Sequence, residues 1–150
     1  MKFSRTIIAG LFLVFTAFFI TGCGTPQYVR FPDQSVRLED PSKARIYVVR
    51  PPAYGGSAVK MKVYDGGTYI GKTRAGGYLC WEREAGLAVI VGKASNRSKF
   101  EIEVQPGDVV YIGQMVLPGI PFARNKLKHL KESEGEHRLK LCIPPRRAHR

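Results

Sequence analysis

The sequence predicts an all-β domain, an antiparallel β-sandwich or small barrel of about 7–9 short strands, set behind an N-terminal leader and an extended tether. Three observations carry this. From Ala44 to Ile143 apolar and polar side chains alternate with period 2, and Gly, Pro and Asn/Asp clusters break the chain at short intervals. Helical spacing of apolar residues is almost absent.

Each element follows from its residues. Ala44-Arg45-Ile46-Tyr47-Val48-Val49-Arg50 is β-branched and aromatic, and it stops at Pro51-Pro52, which cannot donate to a ladder. From Ala58 to Asp65, Val59, Met61 and Val63 face a core while Lys60, Lys62 and Tyr64 face water. Asp65-Gly66-Gly67 is a hairpin turn, because glycine supplies the positive φ it needs, and Thr68 to Thr73 returns as the partner. Gly76-Gly77 precedes a strand over Tyr78–Glu84, Ala85-Gly86 one over Leu87–Ala94, and Ser95-Asn96-Arg97 one over Ser98–Gln105. In the last of these, Phe100, Ile102 and Val104 point inward and Lys99, Glu101 and Glu103 outward. Pro106-Gly107-Asp108 turns into Val109–Leu117, the most apolar run of the domain and hence a central strand. Gly71 and Gly113 inside strands mark a bulge or a close approach. Asn125 to Lys131 admits a short helix, but Leu127 and His129 followed by His137, Leu139, Leu141 and Ile143 suit a closing hairpin around Glu132-Ser133-Glu134-Gly135.

The leader is of a different kind. Lys2 and Arg5 precede an apolar run from Ile7 to Ile20, which closes on Thr21-Gly22-Cys23. A basic n-region, an apolar h-region and small residues at the cut make a secretory signal, and the run is shorter than the ~20 residues a spanning helix needs. Cysteine directly after the cut resembles the lipobox of bacterial lipoproteins. That resemblance implies cleavage between Gly22 and Cys23, with diacylglyceryl on the Cys23 thiol and an acyl chain, commonly palmitate, on its new amine. Each buried methylene then contributes roughly 0.8 kcal/mol, and two or more chains hold stably. Gly24 stands where Asp favours inner-membrane retention in such lipoproteins, which points to the outer membrane, facing the periplasm. The chain thus divides into a signal at 1–22, Cys23 and a Pro-bearing tether to residue 43, the domain at 44–143, and a basic tail at 144–150.

Charge narrows the partners. The 150-residue chain has 24 Lys and Arg against 12 Asp and Glu; only Lys2 and Arg5 leave with the signal and no acid does, so the mature charge is +10. More than half of the excess lies from Arg124 onward, and Arg124, Lys126, Lys128, Arg146, Arg147 and Arg150 are the candidate contacts for an anionic partner. In the envelope such a surface meets lipid head groups, acidic glycans or a protein. Secretion removes nucleic acid from the list.

With Cys23 lipidated, Cys80 and Cys142 remain as an even pair in an oxidising compartment. A bridge and two separate thiols both fit the sequence. His129, His137 and His149 all fall in the C-terminal region, where metal ligation would require convergence with Glu134 or Glu136, and their spacing matches no compact ligand motif. The pairs Glu82/Glu84 and Glu101/Glu103 stand on wet strand faces and suit cross-strand pairing with Lys60 and Lys62 better than acid/base chemistry. Tyr47, Tyr64, Tyr69, Tyr78 and Trp81 are core packing, or in part an exposed aromatic platform.

The order Ala-Arg-Ile-Tyr-Val-Val-Arg at 44–50, Val-Tyr-Asp-Gly-Gly-Thr-Tyr-Ile-Gly at 63–71, Gly-Gly-Tyr at 76–78 and Val-Gln-Pro-Gly-Asp-Val-Val-Tyr-Ile at 104–112 resembles a family of small bacterial envelope lipoproteins with a domain of unknown function. The resemblance implies a β-rich fold, a lipid anchor and an envelope location, and it assigns no functional residue. The expected function is a non-enzymatic, lipid-anchored binding or structural module with no cofactor. The alternative is an envelope metal-binding protein or enzyme using the histidine-bearing C-terminal region.

Overall fold

In the computed structural model, which describes residues 38, 40–53, 56–120 and 122–143, the alternating segments pair into two four-stranded sheets. The strands are β1 (Lys43–Arg50), β2 (Met61–Asp65), β3 (Thr68–Thr73), β4 (Gly77–Glu84), β5 (Gly86–Lys93), β6 (Arg97–Val104), β7 (Val109–Leu117) and β8 (Arg124–Leu130). One sheet has the order β4-β1-β7-β8 and the other β3-β2-β5-β6, so the fold is a sandwich and not a closed barrel.

Every neighbouring pair is antiparallel except β1 and β7, which run parallel with Tyr47 opposite Tyr111. The parallel pair corrects an all-antiparallel expectation, and both of its members are interior strands. Residues 44–50 are buried at every position, as expected of a strand covered on both faces. One face, Ala44, Ile46 and Val48, packs with Leu79, Trp81 and Ile112 against Val63, Ile70, Ala88, Ile90 and Val104 of the second sheet. Trp81 Nε1 donates to Asp65 Oδ2 at 2.9 Å while Arg83 pairs with Asp65 Oδ1 at 2.7 Å, which ties β4 of one sheet to β2 of the other.

The other face of β1 is covered by a helix, α1 (Glu132–Lys140), where the sequence suggested a closing hairpin. Acids in its first turn and His137, Arg138 and Lys140 in its last complement the helix dipole, and Glu134 pairs with Arg138 at 2.8 Å. Gly135, which reads as a turn residue, is instead the point of closest approach. A Cβ there would stand 2.2 Å from Tyr111 Cγ. The cluster beneath comprises Tyr47, Val49, Tyr78, Cys80, Tyr111 and Leu130, with Leu139 and Cys142 packed against it. Tyr47 and Tyr111 stack at 5.1 Å.

Elsewhere the reading of the chain holds closely. Val109–Leu117 is an interior strand, β6 alternates as expected, and Gly66 and Gly67 take φ of 53° and 89° in the hairpin turn. The register between β2 and β3 shifts after Val63, beside Gly71, whose missing side chain leaves room for Leu79.

Candidate functional site

Among the described residues, one face of the sandwich stays open to water, the outer side of the sheet β3-β2-β5-β6. Inward positions on β2 and β5 (Met61, Val63, Ala88, Ile90) are buried, so pleating turns Lys62, Tyr64, Val91 and Lys93 outward. The ladder then fixes which outward side chains are neighbours. Lys72 lies opposite Lys62, Lys62 opposite Lys93, and Lys93 opposite Arg97. Four cations therefore form a single row crossing all four strands. At a strand spacing of ~4.8 Å the row is about 14 Å long. Lys62, Lys72 and Arg97 are exposed and Lys93 half-buried.

Directly opposed like charges are destabilising, and the row contains no acid. The adjacent row contains none either: it consists of Tyr69, Tyr64, Val91 and Lys99. Tyr64 and Tyr69 are half-exposed, with ring centroids 5.4 Å apart, and Lys93 Nζ sits 4.2 Å from the Tyr64 centroid. Acids return only along β6, where Lys99 pairs with Glu101 and Glu103 follows. The result is a strip of positive charge edged by two tyrosines and bounded by carboxylates. A strip of this kind can hold a chain of anions.

The sequence placed the basic surface elsewhere. Arg124, Lys126 and Lys128 are exposed on alternate positions of β8, an edge strand of the other sheet, while Arg146, Arg147 and Arg150 lie outside the described residues, as do Cys23 and the Gly22-Cys23 cleavage site. Lys62 was visible as a wet-face residue, but its partners are cations. The acids expected near it go elsewhere: Glu82 binds Arg45 at 2.6 Å, Glu84 lies near Lys43 at 3.8 Å, and Glu101 takes Lys99. Of the aromatic set, Tyr47, Tyr78 and Trp81 are buried and only Tyr64 and Tyr69 remain for a platform.

Cys80 and Cys142 are unbridged. Cys80 is buried under α1, and burial pushes its thiol up to about 12, so it stays protonated at neutral pH and is a poor nucleophile. Burial also raises Cys142, whose Sγ contacts the Arg138 carbonyl oxygen at 3.3 Å. His129 is exposed on β8 and stacks on Phe100 with centroids 6.1 Å apart, and His137 is exposed on α1; His149 is outside the described residues. Among the described residues no three His, Cys, Asp or Glu side chains converge on a metal-sized site.

At one end of the core a polar layer replaces apolar packing. Thr73 Oγ1 donates to Gln114 Oε1, Gln114 Nε2 to Asn125 Oδ1 at 3.3 Å, and Asn96 brackets the Asn125 backbone with bonds of 2.7 and 3.0 Å. Nearby, the buried Arg50 guanidinium donates to the carbonyls of Gly56 and Val59 at 2.7 and 2.6 Å, which holds the β1–β2 connection in place. These groups fasten the loops around the sandwich.

Comparison of the chain with protein families, with curated proteins and with solved structures finds no match. No helix among the described residues is long and apolar enough to cross a membrane.

Proposed function

We propose that this chain is a lipid-anchored lipoprotein of the bacterial envelope, held by acyl chains on Cys23 and acting without catalysis, as a binding or structural module for an anionic component of that envelope. The observation that carries the reading is the row Lys72, Lys62, Lys93 and Arg97 on the open sheet face. Such a row opposes folding by self-repulsion, and an anion laid across it reverses the sign. The leader supplies the location, the outer membrane on its periplasmic side, and the mature charge of +10 supplies the attraction. The resemblance of the strand and turn sequences to small envelope lipoproteins is consistent with both.

The anchor is tested in cells fed an alkyne fatty acid. The parent chain takes up the label on Cys23, and Cys23→Ala loses it and accumulates as a precursor that keeps residues 1–22. Label persisting in Cys23→Ala, or an unlabelled parent, contradicts the anchor.

A further inference from the structure

We infer that the open face of the second sheet is a binding strip for a linear anionic polysaccharide, which lies across the strands with its carboxylates or phosphates on Lys72, Lys62, Lys93 and Arg97 and a sugar ring against Tyr69 and Tyr64. The inference rests on the envelope-binding reading above and names the partner's chemistry.

Three features favour a glycan over a lipid surface. The cations are collinear, and their spacing, set by the distance between strands, is comparable to the length of one sugar unit. A polymer with a charge on each residue matches a row; a bilayer presents a plane. On the same face, Glu101 and Glu103 on β6 would be pressed against the head groups of an anionic bilayer, whereas a narrow chain lying along the row avoids them. Half of the flanking row is aromatic: half-exposed Tyr69 and Tyr64, on the strands of Lys72 and Lys62, offer apolar ring surface beside those charges, which suits a pyranose and adds nothing for a phosphate head group. The cation–π contact of Lys93 with Tyr64 holds the two kinds of contact side by side.

The experiment uses the full chain reconstituted in phosphatidylcholine nanodiscs. The probes are sodium polygalacturonate, neutral dextran and phosphatidylglycerol vesicles. Polygalacturonate should bind with an affinity that falls as salt rises, and dextran should not. Lys62→Gln with Lys93→Gln should weaken binding at least tenfold and flatten the salt dependence, without lowering the melting temperature, because it relieves like-charge contacts. Tyr64→Ala with Tyr69→Ala should weaken binding several-fold and leave the salt dependence intact. Retained affinity in both double variants, with loss in Arg124→Gln/Lys126→Gln/Lys128→Gln, overturns the strip and leaves the anionic-partner reading standing. Vesicle binding as strong as polygalacturonate binding and indifferent to the tyrosines overturns the glycan in favour of a lipid surface. Binding to none of the probes overturns the glycan; the anionic-partner reading then fails as well if the chain also shows no salt-sensitive retention on isolated envelopes.

Discussion

Glu82→Leu should destabilise the domain by about 3–5 kcal/mol, the loss expected when one member of a buried ion pair is removed. Arg45 is 1% exposed and Glu82 14%, and the guanidinium reaches Oε1 through both Nε at 3.1 Å and Nη2 at 2.6 Å. The pair stands on the outward face of the first sheet, in register on β1 and β4, one row from the Tyr47–Cys80 pair. Burial pushes the Arg45 pKa down, and Glu82 and Tyr47 more than offset it, so the group stays charged. The sign of the double substitution is opposite: Arg45→Met with Glu82→Leu removes both charges and should return most of the lost stability, because buried pairs roughly break even against apolar residues of similar volume. Chemical denaturation of the three variants checks this. A single-variant loss below about 1 kcal/mol, the range of exposed pairs, would show that water screens the pair.

Gly135→Ala should cost about 2 kcal/mol, although alanine is the better helix former by about 1 kcal/mol. The new Cβ would lie 2.2 Å from Tyr111 Cγ and 2.4 Å from its Cβ, atoms at the root of a side chain that cannot swing aside. Tyr111 is further held by its stack on Tyr47. Overpacking of this kind typically costs 1–3 kcal/mol, and here the relief available is displacement of α1 from the sheet. The readout is therefore double. The melting temperature falls, and Cys80, buried beneath the helix, becomes reactive to a thiol reagent; Glu136→Ala, at an exposed position of the same helix, changes neither. Unchanged stability and a still-protected Cys80 in Gly135→Ala would contradict the docked helix.

These two sites also show how much of the molecule was legible in the sequence. Period-2 alternation is local, so β6 and the buried run of β7 could be read directly from Ser98–Gln105 and Val109–Leu117. Pairing partners are not local. Nothing in residues 44–50 says that β1 runs parallel to β7, although continuous burial of the segment is what a strand covered on both faces requires. The helix escaped because Gly135 sits in Glu-Ser-Glu-Gly, a turn-like string, and because almost every other side chain of α1 is charged or polar. Its real signal was electrostatic, acids first and bases last. The basic strip escaped for a related reason. Arg124, Lys126 and Lys128 are close in sequence and easily noticed, whereas Lys62, Lys72, Lys93 and Arg97 come from four strands and become neighbours only once the register is set. The alternation of Lys62 with Met61 and Val63 announced a wet face but not what stands beside it.

Polar contacts between the sheets help the fold to bear the self-repulsion of that face. The sheets are joined by the Trp81–Asp65–Arg83 contacts near one end and by Thr73, Gln114 and Asn125 near the other, on the side of the second sheet away from the cations.

Lysine acetylation of the anchored protein on isolated envelopes, compared with the same protein extracted in neutral detergent and read residue by residue by mass spectrometry, tests this account most directly. Lys62, Lys72 and Lys93 should be protected on the envelope and react on extraction or at high salt, while Lys126 and Lys128 react equally in both. Equal reactivity of Lys62, Lys72 and Lys93 in the two states, with protection confined to Lys126 and Lys128, would contradict the assignment of the binding face.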